Sequence, residues 1–155
     1  MLKTIENVVA LLDEAKLRYC IIGGIGVLLH GGRASTLDCD LYLLAKDGKK
    51  LIALFTASRI PCEALGDYQI RAKVRRLSID ILLDDTTLGK DVLKRAQRLP
   101  LGKSVVRVAS PEDLIILKTI ADRPIDRRDV EEIREIFVGR LDERYIKGQL
   151  KKFQP

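Results

Sequence analysis

Residues 19–44, YCIIGGIGVLLHGGRASTLDCDLYLL, decide how the chain folds, because they set a glycine turn, a short helix and a carboxylate-bearing strand in direct succession. Tyr19-Cys20-Ile21-Ile22 reads as a short buried strand. Gly23-Gly24 breaks it where the backbone must turn sharply or come close to another group. Ile25, Val27, Leu28 and Leu29 suit a helix opening on those glycines, whose free N–H groups would favour a phosphate. Leu37 to Leu44 follows as a second strand. Its period of two puts Asp38 and Asp40 on one face, about 6.5–7 Å apart along the chain. Two carboxylates held so close repel each other unless a cation lies between them.

A divalent cation with a nucleoside triphosphate would satisfy both features, since carboxylate oxygens take Mg²⁺ and amides take phosphate. A third carboxylate is needed from a neighbouring strand. Asp80 stands in the apolar run Leu77 to Leu83, where an unpaired charge is costly and requires a partner. Asp84 shares its strand parity and is the rival, weighted below Asp80 because acids just past a strand end are usually solvated.

In order along the chain, Gly23-Gly24, His30-Gly31, Arg33, Thr36, Asp38, Asp40 and Asp80 resemble the signature of minimal nucleotidyltransferases of the DNA polymerase beta-like superfamily. Ser110 to Lys118 and Arg123-Pro124-Ile125-Asp126-Arg127-Arg128-Asp129 resemble later motifs of the AbiEii-type toxin branch. The likeness runs from about residue 19 to 135. It implies an α+β nucleotidyltransferase fold: a mixed, mostly antiparallel sheet flanked by helices, with a small helical C-terminal end. It also implies transfer of a nucleoside monophosphate from an NTP to a hydroxyl acceptor. Asp38, Asp40 and Asp80 would be catalytic and would hold Mg²⁺ or Mn²⁺; Gly23, Gly24, Arg33 and Lys118 would bind nucleotide. Relatives often carry Gly-Ser at the phosphate turn, whereas Gly24 has no hydroxyl and offers only backbone amides. The alternative is a non-catalytic nucleotidyltransferase-like module that binds a nucleic acid or a protein partner.

The 155 residues suit one domain, with a core over about 19–110 and a helical part over about 111–155. Three cysteines without a CxxC pair point away from a disulfide framework or a zinc site. No apolar run suits a membrane span, and a cytoplasmic protein is the expectation. The net charge of +6 is local: residues 71–107 hold ten Lys/Arg against four Asp/Glu, while the remainder carries eighteen of each sign. Such a basic region would attract a polyanion, either a tRNA-like RNA acceptor or none if it is merely a solvated face. The toxin resemblance adds an antitoxin protein as a partner.

Outside that centre, Thr4 is expected to cap a first helix to about Lys16, and Asp47 a helix bearing Leu51, Leu54 and Phe55. Tyr68 to Val74 and Leu77 to Leu83 read as a hairpin whose turn lacks Gly, Asn and Asp. Lys90 to Arg98 reads as a helix stopped by Pro100 and Gly102, and Ser104 to Ala109 as an edge strand. Asp113 has a sufficient role at a helix start after Ser110-Pro111. Lys118, on a mostly apolar helix, is either a cation for the triphosphate or a snorkelling side chain; Asp126 is a candidate partner for it. Asp126 or Asp129 opens the next amphipathic helix, and Asp142 the last. His30, the only histidine, suits a carbonyl cap at a helix end. Arg33 has two equal choices, a phosphate or a loop ion pair.

Overall fold

The computed structural model describes residues 1–153. Its helices are α1 (Leu2–Glu14), α2 (Gly23–Leu29), α3 (Gly48–Ala57), α4 (Thr87–Arg95), α5 (Pro111–Ala121), α6 (Pro124–Ile136) and α7 (Glu143–Lys151). The strands are β1 (Cys20–Ile22), β2 (Asp38–Leu44), β3 (Cys62–Ala64), β4 (Gln69–Val74), β5 (Leu77–Asp84), β6 (Gln97–Leu101) and β7 (Ser104–Val108). They form one sheet in the order β3-β4-β5-β2-β1-β7-β6. The β1–β7 and β2–β5 pairs are parallel and the other four antiparallel, as a mixed, mostly antiparallel α+β fold requires.

Strand alternation divides the interior in two. Ile21, Cys39, Leu41, Leu43, Ile79 and Ile81 point to the face covered by Ile5, Val8, Val9 and Leu12 of α1 and by Leu51 and Phe55 of α3. Cys20, Ile22 and Tyr42 point the other way, beneath Val27 of α2 and side chains from α4 to α7. Each fully buried Leu or Ile contributes about 1.5–3 kcal/mol, so these layers fix where every strand must lie. Along β2 the second face changes from fully buried Tyr42 through half-buried Asp40 to exposed Asp38, so the carboxylates occupy the end of the sheet where the helical cover stops.

Several expected boundaries move. The first helix starts at Leu2 with Met1 before it, so Thr4 lies inside the first turn and does not cap it. Asp47 precedes α3 without a side-chain capping bond. The β4–β5 hairpin forms as expected although its turn lacks glycine, because Arg75 itself takes the left-handed conformation at φ 57°. The helix expected over Lys90 to Arg98 runs instead from Thr87 to Arg95, and Gln97–Leu101 forms β6. β6 covers β7, so the edge lies at β6 and not at Ser104 to Ala109. Pro100, which reads locally as a stop signal, is tolerated there because an edge strand has one side free of ladder bonds. β3 is a further strand whose three residues are too few to show alternation.

Candidate active site

The parallel β2–β5 pair sets Asp40 directly opposite Asp80 and Asp38 opposite Ser78. Directly paired residues project to the same face, so Asp80 lies on the Asp40 side of the sheet. β1 borders them from the other flank, with Ile22 opposite Asp40. The chain then turns at Gly23, whose φ of +63° disfavours any side chain, and a Cβ built there would fall 2.0 Å from Asp40 Oδ2. The carboxylate occupies the space that any other residue would fill. A Cβ on Gly24 would meet Thr36 Cγ2 at 3.0 Å, so Thr36 stands where a serine side chain at position 24 would have to pass. Thr36 Oγ1 accepts from Asp38 N at 3.1 Å and tethers the approach to β2.

Asp40 is electrostatically strained. Burial pushes its carboxyl from the usual 3.8 up to about 6, with Asp80 and Asp38 adding to the effect and Lys118 and Arg123 opposing it. Asp80 has the partner that its apolar strand demanded: Arg71 Nε donates to Asp80 Oδ1 at 2.8 Å. Arg71 was not expected in this role; the signal for it is the two-residue turn at 75–76, which brings position 71 opposite 80. Asp84 is engaged elsewhere, accepting from the Tyr42 hydroxyl and from Thr86 N at the start of α4.

Above the carboxylates stands a second charged group from α5 and α6. Lys118 is buried and donates to Asp129 Oδ2 at 2.7 Å and to Asp126 Oδ1 at 3.4 Å. Arg123 Nε donates to Asp126 Oδ2 at 2.6 Å, and its Nη2 to Oδ1 at 3.1 Å. Burial works against the charge on Asp126, but the Arg123 bonds outweigh it and hold its carboxyl below the usual range. The expected Lys118–Asp126 pairing is present, although the shorter bond goes to Asp129. Arg123, Asp126 and Asp129 belong to the late motif by resemblance and had no expected place in the site; the signal for one is an Arg-Pro start to a helix three residues before an acid.

Two hollows meet at this point, of about 510 Å³ and about 290 Å³. Gly23, Asp40, Asp80, Lys118, Arg123 and Asp126 line both. Gly24, Ser35, Thr36 and Asp38 line the smaller one. Of the expected nucleotide-binding residues, Gly23, Gly24 and Lys118 are therefore brought together with the three aspartates. Arg33 is not: its guanidinium points to Glu132 at 3.7 Å with the side chain 94% exposed, which is the loop ion pair among its two choices. His30 also meets a backbone carbonyl, but not one at its own helix end: Nε2 lies 2.8 Å from the carbonyl of Ala109, just past β7.

The chain matches, over residues 1–155, the family described as nucleotidyl transferase of unknown function (DUF2204). It belongs to that family. No curated protein matches it. Among solved structures, ANT(2")-Ia in complex with adenylyl-2"-tobramycin is 17% identical, with TM-score 0.71 over 99% of this chain and 98% of that one. The lincosamide antibiotic adenylyltransferase LnuA, lincomycin-bound, is 17% identical, with TM-score 0.65 over 86% and 96%. An antigenic nucleotidyltransferase-like protein from Paracoccidioides brasiliensis is 22% identical, with TM-score 0.62 over 98% and 86%. At these identities the likeness is one of fold, and the nucleotidyltransferase fold is the architecture that this DUF2204 chain has.

The DUF2204 chain carries no preassembled cage: among the described residues, no three His, Cys, Asp or Glu side chains are grouped so as to hold a metal ion. Its donor chemistry nevertheless fits a hard divalent cation. Asp40 is raised by burial and, after that, by the neighbouring Asp80 and Asp38 carboxylates, and Asp80 is held by a half-exposed arginine that a cation would compete with. The basic run 71–107 does not form one surface. Arg71 and Lys73 lie on β4 and Arg98 and Arg107 on β6 and β7, at opposite ends of the sheet. Arg95 turns inward, 3.5 Å from Asp113 and over the Tyr145 ring. Charge that is contiguous in sequence is thus divided in space. Among the described residues, no helix is long and apolar enough to cross a membrane.

Proposed function

We propose that the protein is a metal-dependent nucleotidyltransferase that moves a nucleoside monophosphate from an NTP to a hydroxyl group and releases pyrophosphate. One observation carries the reading: Asp40 and Asp80 face each other in register beside a glycine whose missing side chain leaves room for the Asp40 carboxylate. Asp38, Asp40 and Asp80 would hold Mg²⁺ or Mn²⁺, with Asp80 exchanging its bond to Arg71 for the ion. The bound ion would supply Lewis-acid polarisation of the phosphoryl oxygens and offset charge between the carboxylates. Asp80 would accept the proton of the acceptor hydroxyl. The amides of Gly23 and Gly24, with the hydroxyls of Ser35 and Thr36, would orient the phosphates. Lys118 and Arg123 would balance the negative charge gathering on pyrophosphate, at positions already set by Asp126 and Asp129.

The acceptor is read as a small hydroxyl compound, since the solved structures of like fold include enzymes holding tobramycin and lincomycin products or ligands. An RNA acceptor is the expectation from the basic run 71–107 and an antitoxin partner from the AbiEii-type resemblance; the division of the strand-borne basic residues of that run between two sheet ends counts against their acting as one RNA track. Use of an NTP agrees with a cytoplasmic location. The test is calorimetry of each NTP with and without MgCl₂, followed by transfer of labelled nucleotide to small hydroxyl compounds and to total RNA. Metal-dependent NTP binding, lost in a folded Asp40→Asn variant, is the expected result. No nucleotide affinity with either Mg²⁺ or Mn²⁺ would reduce the protein to a non-catalytic binding module.

A further inference from the structure

We infer that the larger hollow is the acceptor site, and that its acceptor is an amphipathic, weakly charged hydroxyl compound and not a polycation. This rests on the nucleotidyltransferase reading above and specifies its second substrate. The two hollows share the reacting carboxylates but differ in their remaining walls. The smaller continues into the Gly24, Ser35 and Thr36 turn, a polar lining without large apolar side chains apart from Ile125. The larger opens on the Arg71 side of Asp80, where the group that takes the acceptor proton is reached.

Part of its wall carries large apolar side chains that are open to solvent. Leu82 of β5 is 41% exposed and Ile120 of α5 is 42% exposed; Leu117 and Ala121 also line the hollow. Leu82 projects on the same face as Asp80, two residues further along the strand, so the apolar wall begins one strand step from the proton acceptor. A concave apolar surface next to a few polar groups is the usual form of a small-molecule site.

The charge of the lining sets the class of compound. Asp40, Asp80 and Asp126 face Arg71, Lys118 and Arg123, three acids against three bases, and the latter two acids are already ion-paired. A polycationic sugar would find no surplus of negative charge among these side chains. A neutral ring or chain with an apolar side and a free hydroxyl meets both the wall and the proton acceptor.

The experiment uses the full chain with methyl-labelled Leu and Ile, observed by NMR with and without Mg·ATP. The probes are n-octyl β-D-glucoside below its micelle concentration, tobramycin, and ATP alone. Octyl glucoside is expected to shift the Leu82, Leu117 and Ile120 methyls in a saturable manner. Paired Leu82→Ser and Ile120→Ser substitutions should weaken that binding by about tenfold or more, equivalent to about 1.4 kcal/mol, with Mg·ATP affinity changed less than about twofold. Circular dichroism of the double variant checks that it folds. The inference is overturned if tobramycin shifts these methyls and the glucoside does not, if neither probe shifts them, or if ATP alone moves them, which would make the hollow a nucleoside site. Loss of all Mg·ATP binding by the unmodified protein would instead overturn the enzyme reading, with the glucoside response still deciding what the hollow accepts.

Discussion

Two aspartates, half-buried Asp40 on β2 and fully buried Asp113 on α5, meet the same problem of placing a carboxylate out of water with opposite results. Asp113 is fully buried, and burial raises its carboxyl, but both oxygens have donors: the Ser110 hydroxyl at 2.7 Å and the Tyr145 hydroxyl at 2.7 Å, with Arg95 beyond at 3.5 Å. Asp40 is less deeply placed, yet burial and two neighbouring acids push it up to about 6, with only the more distant charges of Lys118 and Arg123 in opposition. A carboxylate satisfied by its own fold is structural. On the proposed reading, one left in debt by its fold takes the metal ion.

The widest separation between the two should come from activity. Asp40→Asn is expected to lower labelled-nucleotide transfer by about 10³-fold or more, as removal of a charge at the reacting centre does. Asp113→Asn should leave the specific activity of the folded fraction within a few-fold. Comparable losses in both variants would break the contrast.

Stability should reverse the order. Asp113→Asn places an amide N–H₂ against donors and is expected to cost about 2–4 kcal/mol in urea denaturation. Thermal or urea curves that match the parent protein would show that the Ser110–Asp113–Tyr145 group is dispensable.

The third contrast lies in pH. Because the folded Asp40 holds its proton up to about 6 while an unfolded aspartate releases it near 3.8, the folded metal-free chain binds the extra proton between those values. Its contribution is therefore most favourable at low pH and is lost as pH rises through about 4 to 6, by about 1–3 kcal/mol at most. Asp40→Asn should remove that slope and make the metal-free protein more stable at pH 8 than the parent. Mg²⁺ affinity of the parent, followed by calorimetry, should weaken as pH falls below 6, since the ion and the proton compete for the same oxygens.

The smallest effect belongs to Arg33. An ion pair with a 94% exposed guanidinium contributes little, so Arg33→Ala is expected to change stability by under about 1 kcal/mol and the KM for NTP by under about twofold. A tenfold rise in KM would return Arg33 to the phosphates and sharpen the boundary of the site.

Much of this centre was open to reading along the chain. The period of two in Asp38-Cys39-Asp40 set both acids on one face, the glycine pair marked the turn, and the isolated charge of Asp80 announced a missing partner. Arg71 was not among the expected partners of Asp80, although a two-residue turn at 75–76 places position 71 opposite 80. Arg33 could not be decided in this way, since its ion pair lies with Glu132, 99 residues away, and nothing local distinguishes it from a phosphate contact. β6 was hidden for the converse reason: Pro100 carries a strong local signal that an edge position cancels.

By itself, then, the amino-acid order determined which side chains share a face, where the backbone must bend, and which charges lack a local partner, because side-chain direction repeats every two or 3.6 residues. The tertiary structure decided the rest. That Asp40 lies opposite Asp80, that Lys118 is held by α6, and that the basic run is divided between two ends of one sheet all depend on which strands become neighbours. That choice is made by the apolar layers above and below the sheet, whose fit is a property of the packed whole and leaves no period in the chain.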